Sequence, residues 1–146
     1  KVSDMQAAVG LSQINKIDKF IEIRRHNFNG LKMRMKSYGL DEYFHLPEPS
    51  PKSNPSWFGF LLTLRNKIGI SRTKITSMLE EKKVGSRLLF AGNLTKQPAF
   101  MQTNFRISGS LINTDRVMDD SFWIGVWPGL NDLHLDYMVD TLNKIT

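Results

Sequence analysis

The sequence predicts an α/β fold in which a long N-terminal helix precedes a small mixed sheet with flanking helices. Two observations predict it: the first 40 residues carry a capped, helical apolar stripe, and short strand-like runs alternate with helical patterns in the remainder. With 146 residues and 40% hydrophobic content, the chain can bury one sizeable core. We therefore expect a single compact unit.

The first segment reads as one long helix with a defined start. Ser3 and Gln6 form a capping-box pattern, and Asp4 suits the positive end of the helix. A helix ending at Gly39 would span about 33 residues and about 50 Å, longer than this core needs. We expect it to pack on something outside this chain, or to break near Gly30. The predicted domains are a connecting helix over residues 1–40 and a small α/β domain over 41–146.

The second segment alternates strands and helices. Strands are predicted at 57–64, at about 86–90 and at 121–126, from apolar and aromatic runs. Ser71, Asn113 and Asn131 are the predicted N-caps of a helix, a short helical turn and the last helix. Two sets of residues should face the core, Ile75, Met78 and Leu79 in the first helix and Leu135, Met138, Val139 and Leu142 in the last. The predicted order is αβαβαβα, with a β-α-β unit before residue 90.

Composition excludes several classes of function. The chain has no cysteine, which excludes disulfides, thiol catalysis and thiolate metal sites. It shows neither a long apolar span nor a signal-peptide pattern, so we expect a soluble, cytoplasmic protein with no membrane partner. Of the net charge of +6, residues 1–36 hold +5 (eight basic, three acidic). That segment suits nucleic acid or an anionic membrane, but a solvated helix face is the commoner explanation and is favoured here.

Generic catalytic motifs are absent. His26, His45 and His134 are far apart in sequence, so no metal site is expected. Neither a nucleophile elbow nor a glycine-rich phosphate loop occurs. The informative stretch is residues 88–100, "LLFAGNLTKQPAF", where a polar loop follows an apolar strand. Such loops often hold ligand contacts in α/β proteins, although an ordinary surface loop is the simpler reading.

Several separated motifs resemble one known family in the correct order. "KVSDMQAAVGLSQINKIDKFIEIRRHNF" is similar to the segment that follows the large domain in the DegT/DnrJ/EryC1/StrS sugar aminotransferases. "PSWFGFLLTL", "GSRLLFAGNLTKQPAF", "NTDRVMDDSFWIGVWPGL" and "LDYMVDTL" resemble one branch more closely. That branch comprises the CDP-4-keto-6-deoxyglucose 3-dehydrases of lipopolysaccharide biosynthesis. The resemblance covers essentially the whole chain.

The resemblance implies the C-terminal small domain of a fold-type-I enzyme that uses pyridoxal or pyridoxamine phosphate. The catalytic large domain would lie upstream, so the catalytic residues are unknown here and the isolated fragment should be inactive. Most members anchor the cofactor on a lysine, whereas the dehydrase branch uses a histidine and removes the C3 hydroxyl with pyridoxamine phosphate. Lys1 matches a basic position that approaches the cofactor phosphate of a neighbouring subunit. A homodimer and an iron–sulfur flavin reductase partner are also implied.

The resemblance also implies a substrate site at the loop after the second strand. Arg87 would meet a phosphate or the keto oxygen of the sugar, and Asn93 and Gln97 would bind hydroxyls. Phe90 and Phe100 would wall the pocket. Loop pinning by the amides and core packing of the aromatic rings remain equal alternatives. Trp123 is assigned to the core.

Three other functions stay open at this point. A sugar-nucleotide aminotransferase of the same family differs from the dehydrase at a position outside this chain. A non-enzymatic binding module would lack the cofactor residues altogether. A nucleic-acid-binding helix predicts salt-sensitive retention on duplex DNA through the first 36 residues.

Overall fold

The structure is a computed structural model that describes residues 1–65 and 69–146. Within those two ranges the chain forms five α-helices and four short β-strands. The helices are α1 (Asp4–Ile14), α2 (Ile17–Ser37), α3 (Arg72–Glu81), α4 (Ile112–Asp120) and α5 (Asp132–Ile145). The strands are β1 (Phe44–His45), β2 (Gly59–Leu64), β3 (Ser86–Leu88) and β4 (Ser121–Gly125).

The predicted start and end of the N-terminal helical segment are confirmed. Ser3 and Gln6 form the capping box in both directions, and Gly39 adopts a left-handed conformation with φ of 69° just after α2. The prediction of one unbroken helix is wrong. The helix breaks at Asn15 and Lys16, not near Gly30, because the Lys16 N–H binds Gln13 O in a tighter i→i−3 turn.

Gly30 has a packing role instead. A Cβ on this residue would lie 3.0 Å from Leu135 Cδ1, so glycine allows α2 and α5 to approach closely. Phe28, Leu31 and Met35 of α2 are buried in the same core as the strands. By contrast, α1 buries no residue of its own among those described, and Met5 and Val9 on its surface are exposed. The domain division at residue 40 stays a prediction.

The sheet has the order β1-β2-β4-β3, and all three neighbouring pairs are antiparallel. The expectation of a mixed sheet is therefore wrong. The predicted β-α-β unit occurs along the chain as β2, α3 and β3. Both strands run in the same direction, because each pairs antiparallel with β4. However, β4 arrives later in the sequence and lies between them, so no parallel pair forms among the described strands.

One face of the sheet makes the core. Phe60 and Leu62 of β2 stand opposite Ile124 and Phe122 of β4, and all four are fully buried. Beneath them lie apolar residues of α2, α3 and α5, including the predicted Ile75, Leu79, Leu135, Met138, Val139 and Leu142. Burying each such side chain contributes about 1.5–3 kcal/mol. Met78 is half-buried rather than part of this core.

Three local expectations need correction. Asn113 is not an N-cap, because α4 starts at Ile112 and Leu111 occupies the cap position. Trp123 is half-buried on the other face of the sheet, where its ring lies 5.0 Å from that of Phe58. The predicted second strand ends at Leu88 rather than at 90, because Phe90 has a positive φ of 50°. Ser71 and Asn131 are confirmed as N-caps.

Candidate functional site

The loop after β3 turns sharply and leaves an aromatic ring in solvent. Phe90 has a φ of 50° and Gly92 a φ of 63°, so two of three consecutive turn residues lie in the left-handed region. The Phe90 side chain is 92% exposed. A Cβ on Gly92 would lie 2.4 Å from Met118 Cγ, so the turn is pressed against α4. Only glycine fits at that point.

Asn93 pins this loop to α4. It is 2% exposed, its Nδ2 donates to Asp115 Oδ1 over 2.7 Å, and its Oδ1 accepts from Thr95 N–H (3.0 Å) and Oγ1 (2.7 Å). Both ends of the amide are thus used inside the protein. The Asn93 side chain also caps the short 3₁₀ turn Leu94–Lys96. This arrangement fits the loop-pinning alternative for Asn93 and leaves its side chain no obvious route to a sugar hydroxyl.

Asp115 is the charged centre of the same network. Lys96 Nζ lies 2.8 Å from Asp115 Oδ1. The hydrogen bond from Lys96, followed by that from Asn93, holds the pKa of Asp115 below its usual range. The same ion pair raises the pKa of Lys96. The carboxylate therefore stays ionised at neutral pH and accepts hydrogen bonds from both residues of the loop.

A cavity of about 280 Å³ lies between this loop and the start of α3. Phe90 and Gln97 line it, together with Arg72, Met118 and the backbone of residues 88–92. Gln97 Nε2 donates to Ala91 O over 2.6 Å, and Gln97 Oε1 accepts no hydrogen bond from the residues that the structure describes. The structure thus brings two of the five predicted substrate residues to one cavity.

The other predicted site residues lie elsewhere. Arg87 is exposed on β3 opposite Trp123, and neither residue lines the cavity. Phe100 is 43% exposed in the following turn and is also absent from the cavity wall. Lys1 is exposed at the N-terminus and makes no ion pair in the described part of the chain. Their roles in binding remain predictions.

Sequence reasoning missed Arg72, Asp115 and Met118. The sequence did contain a signal for Arg72. It directly follows the N-cap Ser71, and a cation at the positive end of a helix is unfavourable unless an anion compensates it. Asp115 lies inside the quoted motif "NTDRVMDD", but nothing local indicates that its partner is Asn93, 22 residues away. Contacts at that separation depend on the sheet order.

Two of the three histidines make contacts that support the fold. His45 Nε2 lies 2.9 Å from Arg116 Nη2, and His134 belongs to the capping box of α5. Over residues 1–65 and 69–146, no group of three or more His, Asp or Glu side chains could hold a metal ion. None of the helices in the described ranges is long and apolar enough to cross a membrane.

The sequence as a whole matches a known protein family. Residues 1–143 match the model of the DegT/DnrJ/EryC1/StrS aminotransferase family. The chain belongs to this family. Two curated relatives are the lipopolysaccharide biosynthesis protein RfbH of Salmonella typhimurium, 49% identical, and the dTDP-4-dehydro-2,6-dideoxy-D-glucose 3-dehydratase of Saccharopolyspora spinosa, 43% identical. The matches cover 99% and 97% of this chain but only 32% and 30% of those proteins.

The fold agrees with solved structures of the same kind. The GDP-4-keto-6-deoxy-D-mannose-3-dehydratase of E. coli with bound hydrated PLP superposes with a TM-score of 0.82 at 21% identity. The alignment covers 94% of this chain and 34% of that one. This DegT/DnrJ/EryC1/StrS chain therefore has the predicted α/β architecture of a small domain from a PLP-dependent transferase fold, and it spans about a third of the length of its relatives.

Proposed function

We propose that this chain is the C-terminal part of a pyridoxamine- or pyridoxal-phosphate-dependent sugar-nucleotide 3-dehydrase. The proposed reaction is C3 deoxygenation of a CDP-4-keto-6-deoxyhexose in the biosynthesis of lipopolysaccharide O-antigen dideoxysugars. The observation that carries the proposal is the 43% identity, over 97% of the chain, to a protein named as a 3-dehydratase. The 49% identity to a lipopolysaccharide biosynthesis protein supports the pathway.

In this proposal the chain contributes to substrate binding, and the cofactor supplies the electron sink needed to remove a hydroxyl group. Gln97 offers its free Oε1 to a sugar hydroxyl at the cavity, and the exposed ring of Phe90 forms its rim. Asn93 and Asp115 act by fixing the loop that presents both residues. The exposed, cationic Lys1 fits a contact with the cofactor phosphate of a neighbouring subunit.

The fragment alone should be inactive. The family resemblance puts the residues that anchor the cofactor upstream of this chain, and the chain matches only about a third of the length of its relatives. The full-length protein is proposed to act in the cytoplasm as a homodimer, with an iron–sulfur flavin reductase as partner. Dehydration by the isolated 146-residue chain would contradict this assignment.

The decisive experiment uses the full-length protein. It is incubated with pyridoxal phosphate and reduced with borohydride, and the intact chain is weighed. Covalent fixation of the cofactor would reveal an aldimine lysine and favour the aminotransferase reading, which the family description also supports. Reversible binding without fixation, together with dehydration of CDP-4-keto-6-deoxyglucose, is the expected result. Absence of cofactor binding would favour a non-enzymatic binding module.

A further inference from the structure

Arg72 is half-buried, and its Nε is buried without a hydrogen-bond partner in the described part of the chain. Its side chain takes part in no ion pair there. Burying a polar atom of a charged group without a partner is costly, and native proteins seldom leave such a group unsatisfied without a reason. The residue nevertheless faces a cavity of about 280 Å³ rather than the core.

The position of Arg72 in its helix adds to this cost. It is the first residue of α3, and no acidic residue occurs in the first turn. The N-terminal end of a helix carries partial positive charge, so a cation there is repelled. An anion in the cavity would offset both the unpaired guanidinium and this repulsion.

The rest of the cavity wall suits part of a nucleotide. The exposed Phe90 ring at the rim offers a flat apolar surface, and Gln97 offers an amide oxygen to a donor. In described residues, the cavity lining contains no carboxylate that would repel an anion. The loop that forms the wall is held in shape by the bond between Asn93 and Asp115.

We propose that this cavity binds the diphosphate of the nucleotide-sugar substrate and that Arg72 is its phosphate-contacting residue. The assignment of the anion rests on the proposed function, because the diphosphate is the charged group of such a substrate. A planar guanidinium can donate two parallel hydrogen bonds to phosphate oxygens, which a lysine cannot do. Arg72 thus takes the phosphate role that sequence reasoning gave to Arg87.

The test is isothermal titration of the full-length, cofactor-loaded protein with CDP, GDP and dTDP and with the matching nucleosides. For the diphosphate that binds most tightly, Arg72→Gln should raise Kd by about 10- to 100-fold, the range for a lost charge-assisted hydrogen bond. Binding of the nucleoside should not change. Arg72→Lys should fall between the two, because it keeps the charge and loses the fork.

Lys74→Gln is the matched control. It removes one positive charge from the exposed side of the same helix and should leave every Kd unchanged. The melting temperature of Arg72→Gln should be equal to or above that of the wild type, because the change removes a disfavoured cation. This separates a loss of binding from a loss of folding.

Two results would overturn the proposal: none of the diphosphates binds the wild type, or Arg72→Gln binds them as the wild type does. Its failure is distinguishable from failure of the proposed function. Diphosphate binding that depends on Arg72, without dehydration of the keto sugar, would reject only the 3-dehydrase. Dehydration with an unchanged KM in Arg72→Gln would reject only the phosphate assignment.

Discussion

Asn93 and Asp115 are joined by a hydrogen bond of 2.7 Å that links the loop after β3 to helix α4. The Asn93 amide is buried, and its oxygen holds Thr95 at the same time. Lys96 completes the cluster with an ion pair to the same carboxylate oxygen. The position of this loop therefore depends on a small polar network, and each member of that network can be tested separately.

Asp115→Asn should loosen the loop without unfolding the protein. The substitution keeps the shape of the side chain but removes the charge that Lys96 pairs with, and it weakens acceptance from Asn93. We expect amide hydrogen exchange across residues 89–100 to rise by roughly 2- to 10-fold, the equivalent of one weakened hydrogen bond. Hydrogen-exchange mass spectrometry measures this directly.

Asp119→Asn is the control for that experiment. Asp119 is exposed on the same helix and makes no hydrogen bond or ion pair with its side chain in the described ranges. Its charge acts on Lys96 only through space, so exchange in residues 89–100 should change much less than in Asp115→Asn. Equal exchange in Asp115→Asn and wild type would show that the network does not hold the loop.

Gly92→Ala should destabilise the protein more than Gly109→Ala. Both glycines have positive φ, 63° and 76°, so an L-residue is strained at either position. Only at Gly92 does the new Cβ meet a neighbour, Met118 Cγ at 2.4 Å, whereas nothing lies within 4 Å at Gly109. The clash should add about 1–3 kcal/mol to the loss in free energy of unfolding.

Thermal or denaturant unfolding of the two glycine variants measures the difference. Because the backbone strain is similar, subtracting one effect from the other isolates the clash with α4. Equal destabilisation would mean that Met118 moves aside without cost, and that the turn is less tightly pressed against α4 than the structure indicates.

His45 should make the protein less stable as the pH falls. Partial desolvation of this exposed residue, and then the positive charges of Arg65 and Arg116, lower the pKa of His45 in the folded state. Between the lowered pKa and about pH 6.5, the unfolded chain therefore binds more protons than the folded one. The stability that depends on neutral His45 is fully present above that pH, and it is lost as the pH falls through the lowered pKa.

His45→Gln should flatten this dependence, because glutamine does not titrate and can still accept the hydrogen bond from Arg116. The free energy of unfolding between pH 7 and about pH 5 tests it. His26→Gln is the control: His26 Nε2 lies 3.6 Å from Asp132 Oδ1, and the substitution should leave the His45 contribution in place. An unaltered slope in His45→Gln would contradict the prediction.

Local signals in the sequence predicted much of the fold. Caps at Ser3, Ser71 and Asn131 depend on side chains within three residues, so they could be read directly. The core face of α5 followed from helical periodicity, and β2 was predicted from its apolar and aromatic run. The sheet order could not be read, because inserting β4 between β2 and β3 depends on contacts between segments more than 30 residues apart. Strand β1, with two residues, gave no detectable pattern.

The candidate site likewise combines features that local sequence predicted with features that depend on long-range contacts. The polar loop after β3 was recognised from its composition and from the family resemblance, and Phe90 and Gln97 do line one cavity. The residue types alone could not distinguish an amide that points into a cavity from one whose hydrogen bonds are all made inside the protein. Asn93 and Gln97 differ in this respect, because Asn93 has a carboxylate partner on α4. Arg72 was missed because it precedes β3 and approaches the loop only in three dimensions.

Arg87→Ala in the full-length protein tests the remaining part of the predicted site. Arg87 is exposed and makes no ion pair among the described residues, so its loss should leave the melting temperature unchanged. If it contacts the substrate, kcat/KM for the nucleotide-sugar should fall by about 10-fold or more, as for one lost charge-assisted bond. Lys74→Ala, an exposed cation on α3, should leave kcat/KM unchanged.

Because Arg72 is assigned to the diphosphate, a contact with the keto oxygen would lower kcat in Arg87→Ala, whereas Arg72→Gln would mainly raise KM. Unchanged kinetics in Arg87→Ala would remove this residue from the proposed site.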